Sequence, residues 1–282
     1  MLSVIIITKN EAEHISRCLA SVNWADEIII LDSGSSDNTV DLCKAYTDKV
    51  FMTDWPGFGK QKQRALDKAQ GDWVLSIDAD EVVTSELRVE IEKALQQERY
   101  QGYEIPRLSS YCGRQMRHGG WWPDYVLRLF RRDCAQFTDS VVHERIIVQG
   151  QISQLITPLL HDAFVNLDEV LHKVNSYSAL GAEMLYQRGV RSSLAKAILK
   201  GLWTFIRTYW LKAGILDGRQ GLMLSISNAE GAYYKYLKLL ELQNRESVAS
   251  VPGRLRHFRH PWQSVASVPY RLRHFRHPWQ SK

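Results

Sequence analysis

Four short apolar runs in the first hundred residues each stop in a polar cluster, and a helical pattern follows each one. Leu2 to Thr8 is a β-branched run bounded by Lys9-Asn10-Glu11. Asn10 suits the N-cap of a helix with Ile15, Cys18, Leu19 and Val22 on one face. Glu27 to Leu31 ends in Asp32-Ser33-Gly34-Ser35-Ser36, and a helix carrying Val40, Leu42, Cys43 and Tyr46 follows. Lys49 to Thr53 is a third strand, and the loop Trp55-Pro56-Gly57-Phe58-Gly59 leads to a helix through Gln63, Leu66 and Ala69. Gly71 reads as its C-terminal stop. Trp73 to Ile77 is the fourth strand, with a helix over 84–97 beyond it. Apolar strands alternating with helices predict a parallel sheet covered on both faces. Ligands of such sheets bind beyond the carboxyl ends of the strands, where all three clusters Thr8–Glu11, Asp32–Ser36 and Asp78–Glu81 should fall.

The last cluster is the most demanding. Asp78, Asp80 and Glu81 put three acids in four positions, and they repel one another unless positive charge sits between them. Asp78 and Asp80 form a D-x-D pair with both carboxylates on one side of the strand. Such a pair suits a hard divalent cation, Mg²⁺ or Mn²⁺, which takes one or two protein carboxylates and fills its shell with phosphate oxygens and water. The same pair also occurs in unrelated phosphatases.

Charge and cysteine usage exclude other classes. The 282-residue chain has a formal charge of +5, yet residues before 250 carry 29 basic against 31 acidic side chains. Residues 250–282 hold six arginines, one lysine and no acid. The basic excess belongs to this tail, which argues against a nucleic-acid-binding body. Cys18, Cys43, Cys112 and Cys134 form no C-x-x-C pair, which fits free thiols in a reducing compartment. The N-terminal stretch lacks the pattern of a signal peptide, and no apolar run reaches the roughly 18 residues of a membrane span.

Beyond residue 100 the pattern changes. Gly102 to Pro106, Tyr125 to Arg131 and Arg145 to Val148 read as strands, with Gly119-Gly120-Trp121-Trp122-Pro123 as a loop, and 164–243 reads helical. Ser193 to Leu216 is rich in Leu, Ile, Trp and Phe but interrupted by Lys196, Lys200, Arg207 and Lys212. That composition fits a helix lying in a membrane interface, or a core helix of a second layer. The tail is a duplication: SVPGRLRHFRHPWQS at 250–264 recurs at 267–281 with Tyr270 in place of Gly253. Arginine and tryptophan without acids suit an anionic membrane surface, or a functionless extension. The expected organisation is a domain over 1–160, a helical region over 161–246 and a flexible basic tail over 247–282.

SVIIITKNE, IIILDSGSSDNT and GDWVLSIDADE, in that order and spacing, resemble the family 2 glycosyltransferases of the GT-A fold. WWPDYVLRLFRR, VHERI and GILDGRQGL further resemble the lipopolysaccharide-core β-1,4-glucosyltransferase group, which adds glucose to inner-core heptose. The resemblance implies a Rossmann-like, mainly parallel sheet flanked by helices, with a C-terminal membrane-associating helical region. It implies an inverting, metal-dependent hexosyl transfer from a nucleotide sugar such as UDP-glucose to a lipopolysaccharide-core acceptor. The place of work would be the cytoplasmic face of the bacterial inner membrane. Another sugar and another membrane glycolipid stay open, as does a catalytically dead sugar-nucleotide or anion-binding membrane protein.

Position by position, the resemblance assigns Thr8 and Glu11 to the nucleotide and Asp32 to the uracil or ribose. Ser33 replaces the second acid of the family's V-D-D-G-S pattern. Lys60 and Arg64 match a basic stretch near the diphosphate, or else a solvated helix face. Asp80 is the direct metal ligand and Asp78 an indirect one. Glu81 is a supporting partner or the N-terminal acid of the next helix. Inverting transfer needs a base for the acceptor hydroxyl. Glu144 is the candidate, with Asp124 and Asp139 as rivals. Trp121 and Trp122 are candidates to stack on the acceptor sugar, or are core residues.

Overall fold

The structure, a computed structural model, describes residues 1–138 and 145–249. The chain groups into two units. One takes in Met1–Ser110 and Trp122–Ala163, the other Tyr111–Trp121 and the chain from Phe164 onward. In the second unit Tyr111, Trp121 and Phe164 pack ring against ring, with centroids 5.7–6.1 Å apart.

In the first unit, strands β1 (Leu2–Thr8), β2 (Glu27–Asp32), β3 (Val50–Met52) and β4 (Trp73–Asp78) are parallel. Every residue of β1, β2 and β4 is buried, as expected for strands covered on both faces. Val4 and Ile6 pack with residues of α1 (Ile15–Val22) and α4 (Ser85–Leu95) on one side. Ile5 and Ile7 pack with Ala65 and Leu66 of α3 (Phe58–Leu66) on the other. A short helix, α2 (Thr39–Lys44), follows β2. The register sets Thr8 beside Asp32 and Ile7 beside Asp78, so the three polar clusters share one rim.

The rest of the sheet is not parallel. After β5 (Glu81–Val82) come β6 (Gly102–Tyr111), β7 (Arg114–Gln115) and β8 (Asp124–Arg131). Then follow β9 (Ala135–Phe137), β10 (Ile146–Val148), β11 (Ile152–Gln154) and β12 (Leu159–Phe164). The strand order is β3-β2-β1-β4-β8-β6-β12-β5, with β8 antiparallel to both β4 and β6 and β5 antiparallel to β12. The sheet is mixed rather than mainly parallel. Its antiparallel half comes from strands that return without a crossover helix.

Local differences have local causes. Helix α1 starts at Ile15, and Asn10 is not its cap. Asn10 instead takes a left-handed conformation (φ 54°), and its Oδ1 accepts from the Ser36 N–H at 2.8 Å. Asparagine tolerates that backbone because its side chain bonds locally. Thr84 does cap α4, its hydroxyl accepting from the Leu87 N–H.

The second unit holds α5 (Leu167–Gln187), α6 (Leu194–Ile206) and α7 (Gly218–Ala249), the last packed against the other two. The expected continuous helix over 193–216 breaks after Ile206 into a π turn over Arg207–Leu211. Left-handed Ala213 and a 3₁₀ turn over Gly214–Asp217 follow. The GILDGRQGL segment is a packing device. Buried Asp217 accepts from the N–H groups of Arg117 and His118 and pairs with the His118 ring at 3.0 Å. A Cβ on Gly221 would lie 1.8 Å from the carbonyl oxygen of Gly214. Gly221→Ala should therefore destabilise the protein by about 3 kcal/mol through overpacking, seen as a lower urea midpoint. Among the described residues no helix is long and apolar enough to cross a membrane.

Candidate active site

At the end of β4 the first unit interleaves acids with the cations Lys62, Arg107 and Arg128. Asp78 ends β4, the chain turns through Ala79 and Asp80, and Glu81 opens β5. Lys62 Nζ on α3 donates to Asp78 Oδ1 at 2.9 Å, and Arg128 Nη2 on β8 donates to Asp78 Oδ2 at 2.5 Å. The same Arg128 nitrogen lies 2.6 Å from Glu81 Oε1. Glu81 Oε2 in turn accepts from the Asp78 N–H at 2.9 Å. Arg107 on β6, 2% exposed, sits 3.7 Å from Glu81 and binds one oxygen of Asp124 through two nitrogens at 2.6 and 3.1 Å. Burial disfavours the charge of Arg128, but Asp78 and Glu81 outweigh it and push the guanidinium above its ordinary value. The repulsion implied by the sequence is thus relieved by protein cations.

Asp80 has a different environment. β5 pairs with β12 so that His161 stands opposite Glu81, which sets His161 Nε2 3.6 Å from Asp80 Oδ2. His161 Nδ1 is 2.9 Å from the Ser109 hydroxyl, which fixes the ring. Asp80 is 5% exposed, and its carbonyl accepts from the Asp162 N–H at 3.0 Å. Among the described residues no three His, Cys, Asp or Glu side chains cluster tightly enough to hold an ion alone. A Mg²⁺ or Mn²⁺ ion that also binds a diphosphate needs fewer protein ligands than that. The donors fit such an ion: Asp80 would hold it, with His161 beside it, while both oxygens of Asp78 are already engaged. Cys18 lies beneath, its thiol 3.5 Å from the Asp78 carbonyl oxygen. Burial and then the acids Glu81, Asp80 and Asp78 push that thiol well up, so it stays neutral.

The neighbouring loop is organised by Asp32. Its Oδ1 accepts from the N–H groups of Gly34 (2.9 Å) and Ser35 (2.8 Å), and its Oδ2 from the Ser35 hydroxyl. Asp32 is fully buried and shapes the loop. Ser33 receives Gln61 Nε2 at 2.9 Å. Thr8 and Glu11 are buried at the end of β1, and the Glu11 N–H donates to the Thr39 hydroxyl.

Several sequence-level candidates sit elsewhere. Lys60 is exposed, and Arg64 pairs with exposed Asp54 at 2.7 Å. Four residues apart, they share the outer face of α3, and Lys62 takes the inner one. Trp121 is 5% exposed inside the second unit's aromatic cluster. Trp122 belongs to the first unit and is half-buried. Asp124 is tied to Arg107. Glu144 and Asp139, and the repeated tail, lie outside the described residues. Lys62, Arg107, Arg128 and His161 were missed by sequence reasoning. Arg128 lies within the quoted WWPDYVLRLFRR segment, and an arginine inside an apolar strand was the available signal.

The proteins similar to this chain include glycosyltransferases. An uncharacterized glycosyltransferase of Rickettsia typhi is 31% identical over 264 residues, covering 88% of this chain and 90% of that one. The lipopolysaccharide core biosynthesis glycosyltransferase LpsC of Rhizobium meliloti is 31% identical over 264 residues, covering 89% and 95%. A solved structure of S. aureus TarS 1-349 in complex with UDP-GlcNAc overlaps with a TM-score of 0.44 at 16% identity, over 87% of this chain and 92% of that one. An overlap of that extent bears on neither donor nor acceptor. Residues 3–147, which hold the D-x-D pair, match the model of glycosyl transferase family 2, and with relatives of this length and identity the chain belongs to that family.

Proposed function

We propose that the protein is an inverting hexosyltransferase that uses Mg²⁺ or Mn²⁺ and moves glucose from UDP-glucose to an inner-core heptose of lipopolysaccharide. The observation that carries the catalytic part is the division of labour on the rim. Lys62 and Arg128 neutralise Asp78, and Asp80 stands beside His161 with its carboxylate aimed at a different partner. A divalent ion held by Asp80 would enter together with a diphosphate, because such an ion fills its shell with phosphate oxygens. The bound ion would offset the charge that builds on the leaving diphosphate. Lys62 and Arg128 keep Asp78 from competing for it. The acceptor assignment draws on the relative LpsC, whose name places it in lipopolysaccharide core biosynthesis. Glu144 is proposed as the base that takes the acceptor hydroxyl's proton.

The test is nucleotide release with Mn²⁺ or Mg²⁺ across UDP-, GDP- and ADP-sugars, with heptose-containing core acceptors present. UDP-glucose should give the fastest release, and only with acceptor. Release from no donor would overturn the transferase reading. Donor binding without release would favour a dead sugar-nucleotide-binding protein. Preference for another sugar would redirect the donor assignment alone. Glu144→Gln should stop transfer and leave donor binding nearly intact. Lys62→Met should weaken donor use about tenfold or more, through loss of a buried charge beside the diphosphate. Lys60→Met, on the outer face of the same helix, should change it less than twofold; steady-state KM values for the donor separate the two.

A further inference from the structure

Helix α6 is built inside out for a protein surrounded by water. Its inward face is small: Ala197, Gly201 and Thr204 are buried, and a Cβ on Gly201 would sit 3.2 Å from the Cβ of Tyr233 on α7. Its outward face is large and apolar. Ile198, Leu199, Leu202, Trp203 and Ile206 are all exposed, Leu199 by 66% and Trp203 by 52%. The exposed apolar side chains continue through Trp210, Leu211, Ile215 and Leu216. A contiguous patch of this kind marks an interaction surface.

The charge around the patch says what covers it. Residues 184–216 carry six basic side chains and no acid. Lys196 and Lys200 line a groove of about 480 Å³ together with Ser193, Leu199 and Trp203. Burial lowers the pKa of nearby Lys235, and the like charges of Lys200 and Arg207 lower it further, so these three cations act on one another. A second copy meeting the patch face to face would set these cations against their equals. The repeated tail, with six arginines, one lysine and no acid, would be repelled in the same way. A bilayer rich in anionic phospholipid meets both needs: acyl chains cover the leucines and isoleucines, tryptophans sit at headgroup depth, and phosphates neutralise the rim. Without a membrane-crossing helix among the described residues, the attachment is flat. We infer that the outer face of α6 and the turns through Leu216 form a docking surface for an anionic phospholipid bilayer. This holds whichever sugar the protein moves.

The experiment compares amide exchange in the full chain, alone and with vesicles of phosphatidylcholine with or without one-quarter phosphatidylglycerol. Exchange over 194–216 should slow at least fivefold on the anionic vesicles and much less on neutral ones. The pair Leu202→Asn and Trp203→Asn touches only the exposed face and should lower vesicle partitioning at least tenfold. Lys196→Glu with Lys200→Glu should do the same and remove most of the salt dependence. Vesicle binding with unchanged exchange over 194–216 would overturn the assignment and transfer it to the tail. A lipid-free dimer with this stretch already protected would overturn it in favour of a second copy. Intact binding in both double variants would also overturn it.

Discussion

Asp80→Asn should lower kcat/KM at least about 10³-fold, a loss of about 4 kcal/mol of transition-state stabilisation, while the protein still unfolds cooperatively. Asparagine keeps the shape of this 5% exposed side chain and removes its negative charge. The amide is a poorer ligand for a hard cation than a carboxylate. His161 Nε2, 3.6 Å from Asp80 Oδ2, would face an uncharged amide in this variant. Asp78 cannot take over, because Lys62 and Arg128 occupy both of its oxygens. The loss should appear in transfer at saturating Mn²⁺ and also as weaker Mn²⁺ binding by calorimetry in the presence of UDP. Full activity in this variant would remove Asp80 from the site.

Arg128→Met should have the largest effect on stability, about 3–5 kcal/mol. Arg128 is 6% exposed and is hydrogen-bonded to Asp78 and Glu81 at once. Methionine fills similar volume but leaves two buried carboxylates facing each other with one neutralising contact fewer. Adding Glu81→Gln to Arg128→Met removes one of the stranded charges. The double variant should therefore be more stable than the sum of the single changes by at least about 1 kcal/mol. Urea unfolding of the four proteins measures this directly, and strict additivity would show that the three groups do not act together.

The parallel half of the fold was legible because each strand there is a short, largely apolar run and the helices between them carry apolar faces. Leu2–Thr8, Glu27–Asp32 and Trp73–Asp78 are local patterns, and their shared direction places Thr8, Asp32 and Asp78 at one rim. The antiparallel half was not legible. Arg128 reaches Asp78 across 50 residues, and His161 reaches Asp80 through the pairing of β5 with β12. Nothing in the spacing of Arg107, Arg128 and His161 announces that they meet. Lys62 was overlooked for a subtler reason: Lys60 and Arg64 share a helical stripe with each other, and the lone lysine between them faces inward. The resemblance assigns Asp32 to the nucleotide, and the bonds that it makes to its own loop were not legible in the sequence.

That loop has a consequence for how the rim assembles. Asn10 Oδ1 accepts from both the N–H and the hydroxyl of Ser36, and the Asn10 N–H donates to the Ser35 hydroxyl. The turn after β1 and the turn after β2 are therefore set by the same few bonds, with Asp32 closing the second from inside. A change that loosens either turn should loosen both, so the two strand ends order as one piece.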